Sequence, residues 1–267
     1  MIRVGTAGWS IPRLAAAAFP GSGFHLERYS RVLGCTEINS SFHRPHAHSV
    51  YARWASLTPR EFRFSVKVPR TITHEGALKR ARAPLEQFLG EIAGLRSKLG
   101  PLLLQLPPSL AFNVRIARSF FDLLRERHAG PVVCEPRHAT WFEPAAAKTL
   151  IAYRIGLVAA DPSRITDAIR PGGWMGRHGD GAGAVVYYRL HGSPRMYWSR
   201  YSIERIERWA ESLRALPPSA DVWCIFDNTA SGSAIENALE LVGCLPVEAS
   251  KETKSRRSSQ IIRVIRD

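Results

Sequence analysis

Short apolar runs rich in β-branched and aromatic residues alternate with longer stretches of helical periodicity from one end of the chain to the other. That order is expected of a parallel sheet or barrel and not of a sandwich. Eight runs read as strands: Ile2 to Trp9, Cys35 to Phe42, Arg63 to Val68, Leu102 to Leu106, Pro131 to Glu135, Gly156 to Ala160, Val185 to His191 and Val222 to Asp227. Amphipathic segments lie between them. In the clearest, Leu85, Phe88, Leu89, Ile92, Leu95 and Leu99 recur at helical spacing and place one apolar stripe against the sheet. Ile203, Ile206, Trp209, Leu213 and Leu216 repeat the pattern.

One crossover departs from the scheme. After the sixth strand, residues 171–183 are rich in glycine, lack helical periodicity, and read as a long surface loop, a candidate lid over the mouth. The last residues, Ser250 to Asp267, mix Lys251, Lys254, Arg256 and Arg257 with serines before a short apolar run from Ile261 to Ile265. Residues 1–249 therefore read as one domain and 250–267 as a basic tail, partly disordered. Eight strands joined by crossovers fit a closed barrel or a doubly wound open sheet. No GxGxxG follows the first strand and no GxxxxGK[ST] occurs anywhere, so the phosphate loops that often mark the open sheet are missing. The expected fold is a single-domain α/β (β/α)8 TIM-like barrel.

Composition adds little to the fold but narrows the partners. With 267 residues, 45% of them hydrophobic, the chain can bury a substantial core. The 37 Lys and Arg outnumber the 23 Asp and Glu, for a formal charge of +14 and a pI near 10.3. This balance favours anionic partners, nucleic acid among them, although the arginines are scattered and a basic solubilising surface is the plainer reading. Cys35, Cys134, Cys224 and Cys244 are far apart, with no CxxC pair, which argues against a disulfide framework or a zinc knuckle. No charged leader opens the sequence and no apolar stretch approaches membrane-spanning length, so the expectation is a cytoplasmic protein without membrane contact.

Several motifs, taken in order, resemble the YecE-like family, also called the domain of unknown function 72 family. They are Gly5-Thr6-Ala7-Gly8-Trp9-Ser10, Glu37-Ile38-Asn39-Ser40-Ser41-Phe42, Phe64-Ser65-Val66-Lys67-Val68-Pro69 with Thr73-His74, and Leu104-Gln105-Leu106-Pro107-Pro108. Glu135-Pro136-Arg137-His138 with Trp141, Arg189-Leu190-His191-Gly192, and Phe226-Asp227-Asn228-Thr229 with Asn237-Ala238 follow. The resemblance implies a barrel related to TIM barrels and a shared polar site, without an established reaction. This chain departs from the family pattern at His43, Pro136 and Asp227.

In such a barrel, polar residues at the C-terminal ends of the strands face the mouth, and strand alternation selects which side chains point inward. Strand two then offers Glu37, Asn39 and Ser41, strand three Ser65 and Lys67, and strand four Gln105. Strand five offers Glu135 and Arg137, strand six ends in Asp161, strand seven carries Tyr187, Arg189 and His191, and strand eight ends in Asp227 and Asn228. The functional reading is that Lys67, Arg137 and Arg189 hold a phosphate or carboxylate while Glu37 or Glu135 orients them or acts as general base, with His191 as a third candidate catalytic group. Asn39, His74, Gln105, Asp161, Asp227 and Asn228 complete the candidate ligand-binding set.

The expected ligand is a small anion, and the expected chemistry, if any, hydrolysis of a phosphorylated or nucleic-acid substrate. No cofactor is expected. A divalent ion held by His191, Glu37, Glu135 and Asp161 is disfavoured, because Lys67 and Arg189 would repel it. Two alternatives stand beside this reading: nucleic-acid binding without catalysis, through Arg-flanked Tyr197, Trp198 and Tyr201, and a structural ion-pair network with no ligand.

Overall fold

A computed structural model gives the structure of the protein and describes residues 1–175 and 185–246. Its strands are β1 (Ile2–Ala7), β2 (Cys35–Ile38), β3 (Arg63–Lys67), β4 (Leu99–Leu106), β5 (Val132–Pro136), β6 (Ile155–Leu157), β7 (Ala159–Asp161), β8 (Gly172–Gly173), β9 (Val185–Leu190) and β10 (Asp221–Phe226). They form one sheet in the order β7-β9-β10-β1-β2-β3-β4-β5-β6-β8, parallel throughout except where β8 pairs with β6. Because β6 and β7 are successive halves of one strand separated by Val158, the two ends of the sheet meet there and the barrel is nearly closed. Helices α1 (His25–Ser30), α2 (His48–Ser56), α3 (Arg82–Ile92), α4 (Val114–Arg127), α5 (Pro144–Ala152), α6 (Ile203–Arg214) and α7 (Ser233–Cys244) cover it.

Three differences from the expected elements bear on the site. The second strand stops at Ile38, and Ser40–Phe42 turns into a short 3-10 helix. The apolar stripe ends as α3 at Ile92, where Gly94 packs so closely on α2 that a Cβ would lie 2.4 Å from the His48 carbonyl oxygen. The fourth strand then begins at Leu99, three residues earlier than expected. Of the glycine-rich segment expected as a loop, Gly172–Gly173 forms β8; residues 176–183 and the basic tail 250–267 lie outside the described residues.

The alternation of strand side chains makes two apolar cores. Residues facing out, such as Phe64, Val66, Leu104 and Leu190, pack against the helices with Phe120, Phe121, Ile206 and Leu239. Residues facing in, Cys35, Leu103, Val133, Val158, Tyr187, Trp223 and Ile225, fill the barrel itself. Trp223 plugs its base, stacked on Tyr187 with ring centroids 6.1 Å apart. The plug needs Gly100 opposite it, where a Cβ would stand 2.5 Å from the indole ring. One layer above this plug, toward the C-terminal ends of the strands, the inward positions become charged.

Candidate functional site

Arg189 on β9 is the centre of that layer and is fully buried. Its Nε donates to Glu37 Oε2 (3.0 Å), one terminal nitrogen to Glu135 Oε2 (2.6 Å), and the other to both Glu37 Oε1 (2.7 Å) and Asp227 Oδ2 (2.9 Å). Three strands far apart in sequence thus bring carboxylates to one guanidinium, whose planar fork suits such shared pairing. Below, the Tyr187 hydroxyl donates at 2.9 Å to Glu37 Oε2 and contacts Ser65 Oγ at 2.9 Å, joining the charged layer to the apolar plug. Above, His191 is also fully buried, with Nδ1 3.1 Å from Asp227 Oδ2 and Nε2 3.3 Å from Glu135 Oε1.

The electrostatics follow from this pairing. Burial alone would raise the Glu135 and Asp227 pKa values, but Arg189 and His191 outweigh it, holding Glu135 well below and Asp227 below the ordinary carboxylate range. Burial opposes the charged form of His191, and Glu135 and Asp227 overcome it, so the imidazole pKa is raised. The same contest ends with the Arg189 pKa raised well above its usual value. Arg137 closes the group from the rim, donating to Glu135 Oε1 at 3.0–3.1 Å and to the Tyr197 hydroxyl at 2.8 Å.

A cleft of about 460 Å³ opens over this floor, lined by Asn39, Phe42, His43, Lys67, Arg70, His74, Gln105, Tyr197, Asp227 and Thr229. Lys67 stands at the end of β3, 6% exposed, with Nζ 4.0 Å above the centre of the Phe42 ring and no hydrogen-bond acceptor among the described residues. Burial, then the charge of Arg189, lowers its pKa to about 8, against the opposing pull of Glu37, Glu135 and Asp227. Asn39 turns its Oδ1 inward with no donor to meet it. His74 packs edge-on to Phe42, its Nδ1 2.9 Å from Thr73 Oγ1, and burial and Lys67 lower its pKa. A larger groove of about 660 Å³ beside α4, lined by Arg82, Arg115, Arg118 and Glu126, contains none of the buried unpartnered polar atoms.

The structure therefore sorts the expected site residues into three places. Glu37, Glu135, Arg189 and His191 come together, but below the opening and bonded to one another, so Arg189 does not present donors to the mouth as expected. Asn39, Lys67, His74, Gln105 and Asp227 line the cleft, with Arg137 at its edge. Asp161 and Asn228 are not in it. Asp161 pairs in register with outward-facing Leu190, so its carboxylate meets the Tyr201 hydroxyl (2.9 Å) and Arg205 on the helix side. Asn228 donates to the Ser199 carbonyl and to Asn237 Oδ1, both at 3.0 Å, and anchors the loop after β9. Nor does Asn39 share a strand face with Glu37 and Ser41, since the strand has ended and the Ser41 hydroxyl donates to the Lys67 carbonyl at 2.6 Å.

Arg70, His43 and Thr229 were missed as cleft residues. Thr229 extends the motif after strand eight and Arg70 follows Pro69 at the end of strand three, which were the available signals. Among the aromatics, Trp141 and Tyr201 are core residues, whereas Tyr197 and Trp198 are exposed at the rim, with the Arg195 guanidinium 4.7 Å from the Trp198 ring centre. Among the described residues no group of His, Cys, Asp and Glu is arranged to hold a metal ion, and no helix is long and apolar enough to cross a membrane.

Known proteins share this architecture. A DUF72 family protein of Enterococcus faecalis V583 superposes with a TM-score of 0.74 at 20% identity, covering 95% of this chain and all of its own. Another, of Thermotoga maritima MSB8, does so at 0.71 and 22%, covering 91% and 98%. In sequence, UPF0759 protein YunF of Bacillus subtilis is 24% identical over 94% of this chain and 96% of its own. UPF0759 protein YecE of Escherichia coli K12 is 33% identical over 40% of this chain, so the match spans only 38% of the YecE chain. The family described as "Protein of unknown function DUF72" matches residues 3–260, and this chain belongs to it.

Proposed function

We propose that the cleft binds a small anion bearing a phosphate or carboxylate, with Lys67 as its principal partner. The observation that carries this is the pairing at the mouth. Arg189, Arg137 and His191 are the groups bonded to the floor carboxylates, so the ammonium of Lys67, a residue that is 6% exposed, faces the cleft without an acceptor among the described residues. An ammonium with no acceptor in the protein is satisfied only from the cleft, and an anion there would supply a charge-assisted hydrogen bond. Gln105, which makes no side-chain hydrogen bond among the described residues, supplies a further donor, and the Asn39 Oδ1 would accept from a ligand hydroxyl or amine. Glu37 and Glu135, with every carboxylate oxygen engaged, hold the floor in shape and do not serve as bases in this arrangement. Inorganic phosphate at millimolar concentration should raise the melting temperature of the wild type and leave that of Lys67→Met unchanged. Equal stabilisation of both would sink the reading.

A second reading rests on the half-exposed Trp198 beneath Arg195 at the rim: stacking of a nucleic-acid base, with the basic surface holding its backbone. It requires oligonucleotide affinity that falls steeply with salt and weakens in Trp198→Ala.

A further inference from the structure

The described lysines divide sharply by surroundings. Lys98 is half-buried and gives its three protons to the Ala55 carbonyl (2.6 Å), the Thr58 carbonyl (2.5 Å) and the Thr58 hydroxyl (2.9 Å). Lys79 and Lys148 are exposed to water. Lys67 has neither arrangement: it is buried to nine-tenths, faces a cleft, and makes no hydrogen bond. An ammonium needs acceptors for its protons, whereas a neutral amine needs only room for its lone pair. The charged groups facing Lys67 are Glu37 on β2, Glu135 on β5, Arg189 on β9 and Asp227 just after β10, with His74 and Arg70 at the cleft. Each of the three carboxylates already has a cation closer at hand.

We infer that Lys67 is a nucleophilic amine that condenses with an aldehyde or keto group on the anionic ligand, forming an imine. The inference rests on the anion site proposed above and names the reactive group its ligand would carry. The Nζ lone pair forms a bond to the carbonyl carbon as the π pair of the C=O moves to oxygen, and the proton that nitrogen loses ends on that oxygen. The resulting hydroxyl leaves as water on taking a second proton, and the nitrogen lone pair closes the C=N bond, leaving a protonated iminium. No oxidant or reductant is needed. The Phe42 ring beneath Nζ confines the approach of the carbonyl to the open side of the amine, and the amides of Asn39 and Gln105 line that side. With the pKa pushed down to about 8, about one molecule in ten carries the neutral amine at pH 7.

Glyoxylate, an aldehyde that is also a small carboxylate, is a suitable probe. The full chain is incubated with glyoxylate and cyanoborohydride, which reduces the iminium to a stable secondary amine, and the modified lysines are mapped by mass spectrometry. The chain has six lysines, Lys67, Lys79, Lys98, Lys148, Lys251 and Lys254, so the positions separate cleanly. The expected result is modification of Lys67 at least about tenfold faster than of Lys79 or Lys148, rising with pH toward a plateau above about 8, and slowed by excess phosphate. Lys67→Arg should lose the fast phase while phosphate still raises its melting temperature. Phosphate stabilisation with Lys67 no faster than Lys79 and Lys148 would overturn the imine and leave the anion site standing. Absence of both effects would overturn both.

Discussion

The floor of the barrel mouth and its wall at Lys67 belong to one inner face of the sheet and follow opposite rules. On the floor, Arg189 makes four hydrogen bonds to three carboxylates, His191 and Arg137 share Glu135 Oε1, His191 also reaches Asp227 Oδ2, and Tyr187 seals the arrangement from below, so that every carboxylate is paired and only Asp227 Oδ1, at the cleft, is left without a hydrogen bond among the described residues. At the wall, Lys67 and Asn39 leave a donor and an acceptor without partners. A buried charge that is fully paired is consistent with a part built for shape, because nothing from outside is needed to satisfy it. A buried polar group that is unpaired is satisfied only when something else arrives. Polarity alone does not separate scaffold from binding surface; the partners already present do.

The largest test of this contrast is to remove one cation from each region. Arg189→Met leaves three carboxylates buried without their partner and should cost about 3–5 kcal/mol in urea unfolding. Lys67→Met, of similar length, should leave stability at pH 7 unchanged or higher. Losses of equal size would erase the distinction.

A smaller effect is expected from pH. The folded pKa of His191 is raised, so its contribution is fully present below its unfolded value of about 6.5 and is lost as pH rises through the folded value. The stability difference between wild type and His191→Gln should therefore shrink on going from pH 6 to pH 9. Lys67 acts in the reverse sense: its pKa falls from 10.5 to about 8 on folding, so between these limits the wild type regains stability against Lys67→Met as pH rises. Opposite slopes in the two comparisons sharpen the contrast, and parallel slopes would break it. The smallest change, Tyr187→Phe, removes a hydroxyl shared by Glu37 and Ser65 and should cost about 1 kcal/mol, without affecting stabilisation by phosphate.

Strand alternation was enough to place Glu37, Ser65, Lys67, Gln105, Glu135, Tyr187 and Arg189 on the inner face: polar and apolar positions alternate visibly in Arg63–Lys67, and in the other runs a polar residue near the C-terminal end of an apolar run marks the inward position. It failed where that signal misleads. Around the sixth strand Leu157, Val158, Ala159 and Ala160 are all apolar, and Asp161, the polar residue that ends the run, belongs to the outer face. At Asn39 the strand geometry had already given way to a turn, and periodicity extrapolated past its end misassigned the neighbours. The pairing itself was not legible: Arg189 and Glu37 are 152 residues apart, and no local spacing says that the guanidinium would turn to the carboxylates and not to the solvent. That choice decides which residues are free to bind, so the fold was readable further than the site.

The Trp223 plug, which has no room for even a methyl group at Gly100, bears on kinetics as well as packing. With the base of the barrel closed, arrival and departure share a single doorway, and whatever occupies the cleft must leave by the path it entered. Tyr197, anchored to Arg137 and to the backbone of His191 and Ala230, stands in that doorway. The dwell time of a bound molecule would then be governed by this one rim segment, and changes there should alter exchange rates more than equilibrium affinity.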